Sequence, residues 1–374
     1  MTRRQVIRLF QATTAAGHLL LFLALSAILP GVLAFILALA GWGVCGWRAR
    51  TLLIDPRRPR WVVRLLDEPV FWHWGASVLS IPLWPIALAG LWFADSTGIV
   101  RSGALLLEGA LAAYLGGLAL SAWSVWGERR RLCVRNMELD IRGLGPELDG
   151  YRIVQLSDLH IGSFDPRERG REWVERANRL EPDLAVVTGD LVTAGTHYYE
   201  DAAEVISGLV ARDGVLVCLG NHDQWDAPRL VSELTRRNVV VLENAWKAIE
   251  RGKSSFIVAG LGDRYTGRDD LEQTLAGRPE GVPTVLLAHY PESFSGAAAR
   301  GVELVLSGHT HGGQLGVPGL ARRLHVAALS RQRGRGLVRS GESTLYVNAG
   351  LGTTGPPMRL GIPPEIALFT LRRP

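Results

Sequence analysis

The sequence predicts two modules in series, an N-terminal set of membrane-crossing helices and a C-terminal layered α/β domain. Charge is the first indication: residues 1 to 135 hold 14 Arg against 6 acidic residues, net +8, whereas residues 136 to 374 are net −3. Nine of the 12 Trp also fall in the first 135 residues, within long tracts almost free of charge. From Tyr151 onward, by contrast, short β-branched runs alternate with helical stretches, the pattern of strands and covering helices. Together these exclude a single soluble globule and set the boundary near residue 130, giving modules 1–130 and 131–374.

Residues 9 to 47 are apolar but, as one helix, would run nearly twice the ~30 Å hydrocarbon thickness. Pro30 and Gly31 are placed to turn the chain, which gives spans of about 9–29 and 31–47. Residues 70–93 and 103–126 are each long enough to cross once, with Trp near their ends as interface anchors. The expected module therefore has four helices. Gly109, Ala113 and Gly117 repeat at four-residue spacing and suit close helix approach. Glu108, the one carboxylate well inside a span, reads as an interfacial or packed residue or as a functional charge. His18 and His73 read as lone histidines, each satisfying a neighbouring carbonyl.

Arg placement sets orientation. Arg3, Arg4 and Arg8 precede the first span, Arg48, Arg50, Arg57, Arg58, Arg60 and Arg64 lie between the second and third, and Arg129, Arg130, Arg131 and Arg135 follow the fourth. The opposite turns carry only Arg101. Both termini are thus expected in the cytoplasm. Residues 2–7, Thr-Arg-Arg-Gln-Val-Ile, also resemble a twin-arginine export signal, a rival that the Arg distribution disfavours. Cys45, Cys133 and Cys218 form no CxxC pair, so neither a disulfide framework nor a thiolate metal site is indicated. A net-negative polar domain lacks the basic footprint of nucleic-acid binding, and no nucleic-acid partner is expected.

In the polar domain five apolar runs each end in polar residues. Residues 152–156 lead into Ser157-Asp158-Leu159-His160, and 184–187 into Thr188-Gly189-Asp190. The run 215–219 leads into Gly220-Asn221-His222-Asp223, 284–288 delivers His289, and 304–307 delivers Gly308-His309-Thr310-His311. Loops beyond strand C-termini are where α/β sheets gather ligands. Helices are expected near 167–180, 199–212 and 228–237. Two Asp, one Asn and four His supply oxygen and imidazole nitrogen without thiolate, which suits divalent Mn, Fe or Zn. Seven ligands exceed one tetrahedral site, so two ions sharing a carboxylate are expected. Asp190 is the chosen bridge; Asp158, His160 and His311 hold one ion with it, and Asn221, His289 and His309 the other. His197 and His325, outside every cluster, read as structural.

These motifs, DLH at 158–160, GDL at 189–191, GNHD at 220–223, AH at 288–289 and GHTH at 308–311, occur in the order found in the calcineurin-like metallophosphoesterase superfamily, which the chain resembles. The resemblance implies a four-layer α/β/β/α fold and a binuclear metal centre. It implies His222 and Asp223 as a catalytic pair, the imidazole serving the phosphate and the carboxylate orienting it. The tail at 348–366, with Asn348-Ala349-Gly350-Leu351-Gly352-Thr353, resembles the bacterial membrane-anchored subgroup. Similarity so drawn covers about 134–372 and implies the bacterial inner membrane.

The expected activity is hydrolysis of a phosphodiester, phosphomonoester or pyrophosphate bond. Only about 30 residues separate Trp126 from Asp158, which points to a catalytic domain near the cytoplasmic face and to a phosphorylated lipid or nucleotide-lipid as substrate. The resemblance makes UDP-2,3-diacylglucosamine one candidate. Soluble nucleotides, a protein phosphatase role and a non-catalytic membrane sensor or scaffold are the alternatives. Arg359 is open between contact with a substrate phosphate and solvent.

Overall fold

The computed structural model describes residues 3–51, 56–99, 103–321, 323–329 and 334–374. Thr2 and Arg101 lie outside the described residues, as do the side chains of Arg3 and Arg4. The chain divides into two compact units, one made of Met1–Ile54, Arg58–Arg129 and Gly355–Arg359, the other of Asp55–Arg57, Arg130–Thr354 and Leu360–Pro374.

The first unit is helical. Its main elements are α1 (Arg3–Ser26), α2 (Gly31–Thr51), α3 (Glu68–Ser96) and α4 (Leu105–Ala122). The turn between α1 and α2 falls at Pro30, whose carbonyl accepts the Ala34 N–H at 3.1 Å. Among the described residues three helices are long and apolar enough to cross a bilayer, Gly31–Arg50, Arg60–Ser96 and Leu105–Arg130, while the apolar part of α1, Phe10–Ser26, is shorter. Leu33, Phe35, Ile36, Trp42, Trp47, Ile86 and Trp92 are exposed, an apolar surface of the kind that lipid covers. The small-residue stripe does what its spacing promised. A Cβ on Gly117 would stand 2.4 Å from the Ala76 carbonyl oxygen, and one on Gly109 2.6 Å from Leu88, so α3 and α4 approach at distances only glycine permits.

Several polar residues differ from expectation. Arg48 and Arg129, read only as orientation signals, are buried. Arg48 pairs with Asp67 at 2.7 Å, and Arg129 with Glu68 at 3.3 Å. His18 and His73 are not lone: their Nε2 atoms face each other at 3.2 Å, although His18 Nδ1 does donate to the Thr14 carbonyl. Arg359 does not meet solvent. It is fully buried within the helical unit, where its N–H donates to the Ser124 carbonyl at 3.1 Å.

The second unit is built on two mixed six-stranded sheets. One runs in the order β1 (Cys133–Asp140), β12 (Glu365–Arg372), β2 (Arg152–Leu156), β3 (Leu184–Thr188), β4 (Val215–Cys218) and β5 (Val240–Val241). The other runs β10 (Gly336–Ser340), β11 (Ser343–Val347), β9 (Leu304–Ser307), β8 (Thr284–Leu287), β7 (Ser254–Gly260) and β6 (Ala245–Arg251). Strands β2, β3 and β4 are parallel, as are β7, β8 and β9. Their residues are buried on both faces, which is why they read as unbroken apolar runs.

Alternation along the strands feeds separate cores. Ile153, Leu184, Val186, Leu216, Val258, Val285, Leu287, Leu304, Leu306 and Phe369, from both sheets, pack in one cluster. The opposite faces of β2, β3 and β4 present Val154, Leu156, Ala185, Val187 and Val217 to helices α5 (Arg167–Asn178), α6 (Tyr199–Ser207) and α7 (Ala227–Thr235). Helix α5 buries Gly170, Trp173, Val174 and Ala177, the i, i+3, i+4, i+7 stripe of an amphipathic helix. A third cluster joins Ile257, Leu286, Val305 and Leu345 to Phe294 and Ala297. Each buried Leu, Ile or Val contributes roughly 1.5–3 kcal/mol.

Candidate metal centre

The five polar clusters follow the C-terminal ends of β2, β3, β4, β8 and β9. Fixed strands thus deliver side chains from residues as far apart as Asp158 and His311. The backbone turns sharply at each delivery point. Asp158, His160, Asp190, His309 and His311 all adopt positive φ, between 47° and 69°. A non-glycine residue in that region costs of order 1–3 kcal/mol and persists only where its surroundings enforce it.

Six of the seven expected ligands converge in two overlapping groups. In the first, His160 Nε2 and His311 Nε2 lie 3.0 Å apart, with His311 Nε2 3.5 Å from Asp158 Oδ1. In the second, Asp190 joins His289 and His309, all offering atoms within 4.8 Å of one another. Asp190 belongs to both, because its Oδ2 lies 3.6 Å from His160 Nε2 and 3.3 Å from His289 Nε2. Asn221 stands at the first position of a short 3-10 turn after β4.

Hydrogen bonds aim these atoms. Ser157 donates its hydroxyl to Asp158 Oδ2 at 2.6 Å, and the His309 N–H donates to Asp158 Oδ1 at 3.0 Å. The His222 N–H donates to Asp190 Oδ1 at 2.9 Å, leaving Oδ2 for the interior. His289 Nδ1 donates to the Thr188 carbonyl at 2.8 Å, which fixes the tautomer with Nε2 as acceptor. Asn221 Oδ1, His289 Nε2 and His309 Nδ1 are buried without hydrogen-bond partners. Burying polar atoms so is costly, and a cation would satisfy those that face it with a lone pair. The set of carboxylate, amide oxygen and imidazole fits divalent transition ions.

Electrostatics points the same way. Burial pushes the Asp158 carboxyl up to about 6, helped by the charge of Asp190. Burial opposes ionisation of Asp190 as well, but His289, His222 and His160 hold it well below the ordinary carboxylate value. His289 rises to about 10, since the Asp190 and Asp158 carboxylates outweigh its burial. Burial lowers His160 and His309 to about 3. The site thus holds neutral imidazoles beside carboxylates, with a proton on His289 where a cation would otherwise sit.

The expected His222–Asp223 pairing needs correction. Asp223 is buried, and its carboxylate accepts from the Leu191 N–H at 2.8 Å and the Gly220 N–H at 2.9 Å. It braces two ligand loops and makes no bond to His222. Adjacent residues in a 3-10 turn point their side chains apart, and the His222 ring is oriented instead by donation from Nδ1 to the Thr193 carbonyl. Asn221, His222 and His309 are the half-buried members of the centre, so they mark its open side. His197 lends only its carbonyl, to Arg57, and His325 Nδ1 accepts the Ala328 N–H.

Other contributors went unread in the sequence. Tyr290 lies tilted against His309 with ring centroids 4.2 Å apart; its place directly after His289 was the available signal. The tail motif has a physical role too. Leu351 and Gly352 donate N–H groups to the Ser157 and Asp158 carbonyls, and a Cβ on Gly350 would stand 2.8 Å from Asp158 Cβ.

The family model described as calcineurin-like phosphoesterase matches residues 151–313. The uncharacterized metallophosphoesterase YkuE of Bacillus subtilis is 32% identical over 276 residues, 71% of this chain and 96% of that protein. The transmembrane protein with metallophosphoesterase domain of Danio rerio is 32% identical, and that of Bos taurus 34%, each over 64% of this chain. The matched region spans only 57% of those two relatives. With five ordered motifs converging on one centre and a relative matched almost end to end, the chain belongs to the calcineurin-like metallophosphoesterases, a family of metal-dependent phosphoesterases.

Proposed function

We propose that the protein is a multi-pass membrane enzyme that hydrolyses a phosphodiester, phosphomonoester or pyrophosphate bond at a binuclear centre. Residues 1–130 would cross the bilayer four times, with α1 as the fourth span, and 131–374 would form a four-layer α/β/β/α catalytic domain. The three apolar clusters of the second unit support the layering. The Arg distribution favours cytoplasmic termini.

The observation that carries the reading is Asp190 Oδ2, one oxygen within 3.6 Å of a nitrogen from each group. Asp158, His160, His311 and Asp190 would hold one ion; Asp190, Asn221, His289 and His309 would hold the other, with Mn, Fe or Zn suited to the set. Bound there, divalent ions supply Lewis acidity, neutralising phosphoryl charge and lowering the pKa of water. The protein's own part begins at the open side, where His222 meets the substrate. Its Nδ1–H is committed to the Thr193 carbonyl, so it is the imidazolium form of His222 that would offer a second proton, on Nε2, to the phosphoryl or leaving-group oxygen. Such donation accelerates typically ~100-fold to 10,000-fold. Asp223 acts as a positioning residue, tying the loops after β3 and β4 together.

The short tether to the helical unit favours a substrate with a lipid part, either a phosphorylated lipid or a nucleotide-lipid. The test is turnover by the full-length protein in detergent with Mn, on an aryl phosphodiester and on a panel including UDP-2,3-diacylglucosamine and soluble nucleotides. Hydrolysis lost in Asp190→Asn is expected. Turnover in that variant at the wild-type rate would remove the bridge assignment, and ligand binding with no turnover in the wild type would favour a sensor.

A further inference from the structure

The helical unit holds a second cluster of chemistry-bearing side chains. His18 of α1, Cys45 of α2 and His73 of α3 each bring a ligand atom to within 4.8 Å of one another. His18 and Cys45 are buried and His73 half-buried, in a setting where polar groups are costly and commonly functional. The two Nε2 atoms face each other at 3.2 Å. The other ring nitrogens are already engaged: His18 Nδ1 donates to the Thr14 carbonyl at 2.7 Å, and His73 Nδ1 lies 2.9 Å from the Tyr114 hydroxyl. A carbonyl only accepts, so neutral His18 carries its proton on Nδ1 and presents the Nε2 lone pair. Fixing one imidazole nitrogen by an outer hydrogen bond is how proteins aim the other at a metal.

The helix backbone comes close to these atoms. A Cβ on Gly41 would stand 2.8 Å from His73 Nε2 and 3.2 Å from His18 Nε2, so only glycine lets α2 pack against both nitrogens. Cys45 lies four residues on, on the same face of α2.

We propose that His18, His73 and Cys45 bind a soft monovalent ion, Cu+, at a site distinct from the catalytic centre. A thiolate with imidazoles selects Cu+ or Zn2+, and charge decides between them. Cu+ with one thiolate and two neutral imidazoles carries no net charge, whereas Zn2+ would leave one positive charge in an apolar interior. Binding exchanges one bond for another: the Cys45 S–H bond breaks, S–Cu forms, and the proton leaves to solvent with no change of oxidation state. The metal-free alternative is a hydrogen-bond chain in which Tyr114 donates to His73 Nδ1 and His73 Nε2–H donates to His18 Nε2. It satisfies both rings but leaves the Cys45 thiol with only a long contact, 4.0 Å, to the Val70 carbonyl.

The full-length protein in detergent, kept anaerobic with ascorbate, would be titrated with Cu+ against a chromophoric Cu+ chelator. Wild type should take up one equivalent more than Cys45→Ser, His73→Gln and Gly41→Val. X-ray absorption of the wild type should show sulfur and imidazole around copper. Gly41→Val keeps all three ligands and crowds the two Nε2 atoms, and the melting transition of the helical unit in detergent checks that each variant is folded. Equal uptake by wild type and the folded variants, copper without sulfur, or preferential Zn2+ binding through these residues would each overturn the proposal.

Discussion

His222 is the test of rate against metal binding, because its imidazole is hydrogen-bonded to Thr193 yet lies within 4.8 Å of ligand atoms of Asp190 and His160. His222→Ala should keep both ions and lose ~100-fold to 10,000-fold in rate; metal analysis beside single-turnover kinetics checks this, and loss of metal would make His222 a ligand. His289 gives a pH prediction. Its folded-state pKa is raised from 6.5 to about 10 by Asp190 and Asp158 in the absence of metal. That stabilisation is complete below the unfolded value and disappears as pH rises through the folded one. Metal-free protein should lose thermal stability between pH 6.5 and about 10, whereas metal-loaded protein, in which the imidazole is already unprotonated, should not. Melting curves across that window decide. The six clustered side chains, Asp158, His160, Asp190, His289, His309 and His311, were legible in the sequence because each sits at the tip of an apolar run and within a short motif. The Asp223 role was not, since neighbours in a chain need not be neighbours in chemistry. Nor was the His18–His73 contact, which joins residues 55 apart.

Helix and strand identities were legible wherever periodicity was strong. The five apolar runs became β2, β3, β4, β8 and β9, and the three helical stretches became α5, α6 and α7. What periodicity could not show was order within the sheets. Strand β12 lies between β1 and β2, parallel to the first and antiparallel to the second, an arrangement set by distant pairing. Two glycines mark where elements depend on a missing side chain. Gly117→Leu would force α3 and α4 apart and should cost about 1–3 kcal/mol, lowering the melting temperature in detergent while the metal content of the catalytic unit holds. Gly350→Val combines a φ of +72° with a clash against Asp158 Cβ. It should reduce turnover and metal occupancy together, as measured by elemental analysis.

At the scale of the whole molecule, the two units should respond differently to chelation. Five ligand residues carry strained backbone, so the second unit leans on bound metal, and an ion at 100 times its dissociation constant adds about 2.7 kcal/mol. Removing the divalent ions with a chelator that spares Cu+ should lower one calorimetric transition and leave that of the helical unit unmoved; a uniform shift of both would contradict this. The composition break near residue 130 made two modules legible, but not the destination of Gly355–Arg359, which groups with the helices. There Met358 lies against Gly75, where a Cβ would come within 2.4 Å of its Cε. A ribosome releases that pentapeptide only after nearly all the polar chain has been made. The bundle must consequently wait for a wedge encoded after residue 354, and a cut between the modules would leave the helical fragment short of that piece.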